Sequence, residues 1–267
     1  MNPASRSVVP DACSRFGRPL LEVKGVSKVF KVNGSPKSIL EGIDLTAGCG
    51  ELICLLGRSG CGKSTLLKIL AGFLPHTSGE VLLEGTRIKG PGPDRCVIFQ
   101  EDALFPWLTV EENIALGLRN RAVGRGTVRR EVERFLGLVG LGEFRDYLPR
   151  EISGGMKQRV ALARVLILQP KILLMDEPFG ALDAQTREDM QGLLLQIWEQ
   201  LSHTIVFVTH DVSEALVLAD RVLVMGMSPG RIEEEIPVAL ERPRAKDHPD
   251  FLALSRRLAN ALRRSRL

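Results

Sequence analysis

The run Gly57-Arg58-Ser59-Gly60-Cys61-Gly62-Lys63-Ser64-Thr65 constrains this chain more than any other feature. It fits GxxxxGK[ST], follows the apolar run 52–56 and leads into the helix-like run 66–71, so strand, loop and helix stand in the order a phosphate-binding loop requires. A triphosphate needs many donors at close range. Glycines 57, 60 and 62 let successive backbone N–H groups turn inward, and the following helix presents its positive end. Lys63 adds a point charge toward the β and γ phosphates, and the Ser64 hydroxyl is placed to ligate Mg²⁺ between them. Ser59, Cys61 and Thr65 complete the expected ATP-binding loop. Beside a helix N-terminus and Lys63, Cys61 reads as a reactive thiolate or, alternatively, as a small residue with its sulfur packed away.

Short apolar runs recur at 172–175, 205–208 and 222–225. Like 52–56 they are too short for buried helices and read as buried strands of a parallel sheet. Between them Met190, Leu193, Leu194, Ile197, Trp198 and Leu201 mark one face of an amphipathic helix over 187–201. Val128, Val132, Phe135, Leu136 and Val139 repeat that pattern within 109–150, where no strand is evident. Upstream, runs 20–23, 39–45 and 81–83 read as an antiparallel layer, with Val32-Asn33-Gly34 as a turn. The expected fold is α/β: a P-loop ATPase core with a parallel sheet, an antiparallel β layer and an inserted helical subdomain at roughly 101–158. One domain is expected over 20–267, behind a flexible tail at 1–19 and closed by a helix at 251–262.

Asp176-Glu177-Pro178 follows the run 171–175 directly, so two acids stand at the carboxyl end of a buried strand, where α/β sheets bind ligands. Asp176 is expected to hold Mg²⁺ through its water shell, and Glu177 to polarise the attacking water as general base. Lys plus Arg total 36 against 32 Asp plus Glu. That slight basic bias is no nucleic-acid footprint, and the Arg256, Arg257, Arg263, Arg264 and Arg266 cluster reads as a solvated helix end or, alternatively, as a contact with anionic lipid. Cys13, Cys49, Cys54, Cys61 and Cys96 show no paired spacing and are expected to be reduced thiols. No apolar run approaches the roughly 18 to 20 residues that span a bilayer, so a membrane role is expected only through a partner.

Four further segments are informative: Val97-Ile98-Phe99-Gln100, Ile152-Ser153-Gly154-Gly155-Met156-Lys157-Gln158-Arg159, Gly180-Ala181-Leu182-Asp183 and Val208-Thr209-His210-Asp211. With the phosphate loop and the acids, this ordered set resembles the ATP-binding cassette family over about residues 20–231. The resemblance implies the ABC ATPase fold, ATP and Mg²⁺ as cofactors, and a homodimer in which Ser153, Gly154 and Gly155 of one subunit contact the ATP of the other. It implies that Gln100 binds Mg²⁺ and senses the attacking water, that His210 lies near the γ phosphate, that Asp183 crosses the interface and that Phe30 stacks on adenine. Catalysis would then fall to Lys63, Gln100, Glu177 and His210. Ile152 and Met156 depart from the commoner LSGGQ pattern, and Met156 removes an amide.

A single cassette without a fused membrane segment is similar to bacterial importer subunits. These pair peripherally at the cytoplasmic face of the inner membrane beneath permeases, which receive solute from a binding protein. Residues 104–110, the Ser-Gly-Gly-Met run and residues 178–187 look like the nitrate, sulfonate and taurine branch, so small anions are the expected cargo. Too few residues follow His210 for the extra β-barrel of sugar-importer ATPases. Phe105, Pro106, Trp107 and Leu108, within 100–113, are expected to dock the permease; in the alternative, Trp107 packs into the helical subdomain. The rival functions are another transporter branch, a soluble family member, which usually carries two cassettes or long insertions, and a kinase or GTPase, which would lack the Ser-Gly-Gly run.

Overall fold

A computed structural model describes residues 19–100, 103–119 and 123–264; the expected tail lies outside them except for Pro19. In chain order, β1 (Leu21–Val32), β2 (Ser35–Ala47), β3 (Leu52–Gly57), α1 (Lys63–Leu70), β4 (Ser78–Leu83), β5 (Thr86–Arg87) and β6 (Arg95–Ile98) come first. Then follow α2 (Val110–Arg119), α3 (Arg125–Leu138), α4 (Gly154–Leu166), β7 (Ile172–Asp176), α5 (Ala184–Leu201) and β8 (Thr204–Thr209). The order closes with α6 (Val212–Leu218), β9 (Arg221–Met225), β10 (Ile232–Pro237) and α7 (Pro249–Arg264).

The strands form a six-stranded sheet ordered β10-β9-β3-β8-β7-β6 and a four-stranded sheet ordered β2-β1-β4-β5. All neighbours in the larger sheet run parallel except β10, which is antiparallel to β9. All pairs in the smaller sheet are antiparallel. Both faces of the larger sheet are buried along β3, β7, β8 and β9, which is why those strands read as unbroken apolar runs. Along β3 the side chains still alternate. Leu52, Cys54 and Leu56 join the core that contains α4 to α7, while Ile53 and Leu55 join the core shared with α1 and the smaller sheet. The expected α/β cassette with an added antiparallel layer is the architecture observed.

Local chemistry sets the joints. Asn33 and Gly34 take φ 50 and 82, and Val32 pairs with Ser35, so a two-residue turn closes the β1–β2 hairpin. Thr109 and Glu112 form a reciprocal cap on α2: Glu112 N donates to Thr109 Oγ1 at 3.2 Å, and Thr109 N to Glu112 Oε2 at 3.0 Å. Ser153, Asp183 and Asp211 cap α4, α5 and α6. Among the described residues between β6 and β7 only helices and turns occur, with Val110, Ile114, Val132, Phe135 and Leu136 buried in the helical core.

Three strands escape a reading by apolar runs, the first being the two-residue β5. β6 is four residues long, and β10 carries Glu233, Glu234 and Glu235 on the sheet edge, where charges are tolerated because one side meets water. Cys54, Cys61 and Cys96 are free thiols, but Cys49 is disulfide-bonded, which corrects the expectation of uniformly reduced cysteines. No helix among the described residues is long and apolar enough to cross a membrane.

Candidate functional site

β3, β8, β7 and β6 are neighbours in the sheet, and their carboxyl ends lie nearly level: Leu56 pairs with Thr209, Val208 with Asp176, and Met175 with Ile98. The phosphate loop leaves β3, His210 follows β8, Asp176 and Glu177 stand at the end of β7, and Gln100 lies just beyond β6. Ligands of open α/β sheets bind at such strand ends.

At the start of α1, Gly62 takes φ 100, and a Cβ there would lie 2.6 Å from Leu40 Cδ2, so only glycine fits this turn. The Lys63 ammonium donates to the carbonyls of Gly57 at 2.8 Å and Arg58 at 3.1 Å, and Glu177 Oε1 lies 3.6 Å from it. Only 4 % of the Lys63 side chain is exposed, so the ammonium lies folded into its own loop. Ser64 Oγ donates to Asp176 Oδ1 at 3.0 Å. Burial raises the Asp176 carboxyl above its ordinary value, opposed by that Ser64 bond and reinforced by the charge of Glu177. The hydroxyl, the carboxylate and the Gln100 amide offer hard oxygen donors, a set that suits Mg²⁺.

Glu177 takes φ 47, a left-handed conformation that costs a side-chain-bearing residue about 1–2 kcal/mol. Two backbone bonds hold it: its N–H donates to Val208 O at 3.0 Å, and its carbonyl accepts from Gly180 N at 3.1 Å. That geometry brings Glu177 Oε2 within 2.9 Å of His210 Nδ1. Gln100 lies beside the loop that follows Glu177: its Nε2 is 3.5 Å from where a Gly180 Cβ would stand, and its carbonyl accepts from Gln158 Nε2 of α4 at 3.3 Å. A charged lysine, two carboxylates, a hydroxyl and an imidazole thus share one strand-end cleft, the parts needed to bind a polyphosphate and activate water.

Other expected residues stand apart from this cluster. Ser153 Oγ accepts from Met156 N at 3.3 Å. A Cβ on Gly155 would lie 2.5 Å from Thr186 Cγ2, so Ser153, Gly154 and Gly155 sit beside the start of α5. Among the described residues no hydrogen bond or ion pair joins these three to the phosphate loop. Asp183 accepts from Thr186, also at the start of α5. Phe30 is half-buried on β1, with the Lys28 ammonium 4.8 Å from its ring centroid.

Cys61 is corrected. It is 1 % exposed, and its sulfur fills the space beside Gly57, where a Cβ would approach Sγ to 2.6 Å. Burial raises its thiol above the ordinary value, outweighing the Lys63 charge and the backbone N–H groups that favour thiolate. The packed-away alternative is the one the fold adopts. Sequence reading also missed Arg187, Gln191, Thr209 and Glu214, polar groups clustered behind His210 and Asp183. Only the helical spacing of Arg187, Gln191 and their apolar neighbours hinted that these polar residues would face inward.

Residues 40–180 match the protein family described as ABC transporter. The taurine import ATP-binding protein TauB of Roseobacter denitrificans is 45% identical over 239 residues, 86% of this chain and 89% of that protein. The bicarbonate transport ATP-binding protein CmpD of Synechococcus elongatus is 46% identical over 232 residues, 86% of this chain and 84% of its own length. Among solved structures, a dimeric ATP-binding cassette in a post-hydrolysis state with ADP and Pi aligns with TM-score 0.71 at 31% identity, over 83% of this chain and 100% of that one. The matched segment, the identity along most of the chain and the shared fold establish that this chain belongs to the ABC transporter family, as an ATP-binding subunit whose hydrolysis of ATP is coupled to transport.

Proposed function

We propose that the chain is the motor of an importer, pairing head-to-tail with a second copy around two ATP molecules and driving uptake of small anions through separate permeases. The convergence of Lys63, Ser64, Asp176, Glu177 and His210 at adjacent strand ends carries the reading. Lys63 turns from its own loop carbonyls toward the β and γ phosphates. Ser64, Asp176 and Gln100 would hold Mg²⁺, which when bound would supply positive charge to the phosphates. Glu177 takes the proton of the attacking water, and His210 orients its carboxylate. Phe30 stacks on adenine.

The second copy supplies Ser153, Gly154 and Gly155. The Ser153 hydroxyl caps the N–H of Met156, which leaves the N–H groups of Gly154 and Gly155 at the positive end of α4 for a phosphate. Asp183 lies beside them and reaches across the pair. The relatives named for taurine and bicarbonate, one carrying a sulfonate and the other itself an anion, support small anions as the cargo class. The exposed aromatics Phe105 and Trp107 support a permease docking site there, and a chain docked in that way lies peripherally at the cytoplasmic face of the inner membrane.

Glu177→Gln tests the reading. ATP binding is expected to persist while hydrolysis slows by roughly 10² to 10⁴-fold, the contribution of a positioned base. Since hydrolysis separates the pair, light scattering should find an ATP-bound dimer with Mg-ATP. Full hydrolysis would reject Glu177 as base, and a monomer with bound Mg-ATP would reject the paired site.

A further inference from the structure

Glu214, at the first turn of α6, is 6% exposed, and a carboxylate so buried is costly unless partnered. Its Oε2 accepts from Thr209 Oγ1 at 2.6 Å, and its Oε1 from Gln191 Nε2 of α5 at 3.4 Å. Thr209 Oγ1 in turn accepts from Asp211 N at 3.0 Å. The residues on both sides of His210 are therefore tied to Glu214. On the other flank, Arg187 Nε stands 3.8 Å from Glu214 Oε1, while Arg187 Nη2 donates to Leu182 O at 2.8 Å, immediately before Asp183. Leu182 N donates to Phe179 O at 3.1 Å, so the guanidinium holds the loop that begins at Glu177.

A cap or core role does not require this carboxylate. Asp211 already caps α6 by accepting from Ser213 N at 2.7 Å and Glu214 N at 3.1 Å, so the buried charge is tied instead to the groups it faces, Thr209 Oγ1 and Arg187. Arg187 Nε is buried and has no hydrogen-bond partner. A closure of roughly 1 Å would bring it to the 2.7–2.9 Å of a charge-assisted hydrogen bond with Glu214.

Resting on the site proposed above, we infer that Glu214 is a positioning residue: through Thr209 and Arg187 it locks the His210 turn to the Glu177–Asp183 loop, so that Glu177 and His210 keep their geometry through turnover. Burial pushes the Glu214 carboxyl up, and the Thr209 bond and the Arg187 charge counter that push.

The test is a double-mutant cycle on the full chain with Mg-ATP. Glu214→Gln keeps the shape and an acceptor for Thr209 but removes the charge facing Arg187; Arg187→Gln removes the other partner. Each single variant is expected to lower kcat about 10-fold, a modest share of the ~10²-fold that misplacement can cost, with KM for ATP within about twofold. The double variant should lose no more than either single. Losses that multiply to about 100-fold, an unchanged kcat, or an effect confined to KM would overturn the link. If Glu214→Gln fails to fold, Arg187→Gln, whose side chain is 31% exposed, decides alone: a kcat loss at constant KM upholds the link and an unchanged kcat overturns it. Glu177→Gln run alongside separates the two failures. Full activity in that variant rejects the site, whereas a slow Glu177→Gln together with multiplying losses rejects only the link.

Discussion

Asp183 accepts from Thr186 N at 3.0 Å and from Thr186 Oγ1 at 2.6 Å, and these bonds hold its carboxyl below the ordinary aspartate value. The residue proposed to reach across a dimer thus also starts α5. A folded-state pKa below the unfolded one means that the cap's contribution is full above the ordinary aspartate value of 3.8 and is lost as pH falls through the lower folded value. The melting temperature of Asp183→Ala should therefore lie below that of the wild type by a constant gap near neutrality, narrowing in acid. Asp183→Asn, which keeps an acceptor, should melt close to wild type at neutral pH. A gap unchanged well below the ordinary aspartate value would show that the charge plays no part. Residue identity at this scale was legible: the motif named Lys63, Ser64, Asp176 and Glu177. The direction of a side chain was not, and Cys61 shows why. The Lys63 charge favours thiolate, but packing against Gly57 removes water from the sulfur, and desolvation wins.

At the scale of elements, Asn113 organises the loop before α2. It is fully buried, its Oδ1 accepts from Phe105 N at 3.0 Å, and its Nδ2 donates to the carbonyls of Phe105 at 3.2 Å, Leu108 at 2.9 Å and Thr109 at 3.0 Å. This brace leaves Trp107 70% exposed with its ring edge-on to Phe105 at 5.5 Å, so the alternative that buries Trp107 among the helices does not hold. Trp107→Ala should leave the basal ATPase of the isolated chain unchanged while permease assembly weakens in pull-down; full assembly would reject the docking surface. Asn113→Ala should cost about 1–3 kcal/mol in urea unfolding, because it strands buried backbone groups. Helix α5 was legible from its apolar spacing, within a few residues at its start. β10 was not, because three successive glutamates on an edge strand erase the apolar pattern.

At the scale of the whole molecule, the described residues form two cores divided by one sheet, and Phe207 of β8 belongs to the helical side, fully buried with its ring 5.5 Å from that of Phe179. Phe207→Ala should cost about 3–5 kcal/mol in chemical denaturation, since the sheet behind it cannot collapse into the cavity. A loss below about 1 kcal/mol would mean that the Phe179 loop refills the space. Because Phe179 follows Glu177 by two residues, this core also steadies the site. The sequence by itself determined the phosphate loop, the acid pair, the apolar strands and the family, since each depends on residue type at short spacing. It could not determine that β3, early in the chain, would stand beside β8, with β7 and β6 following in reverse chain order. Strand order is settled by which apolar faces bury one another across the whole domain. That choice alone brings His210 to within 2.9 Å of Glu177 and Ser64 to within 3.0 Å of Asp176.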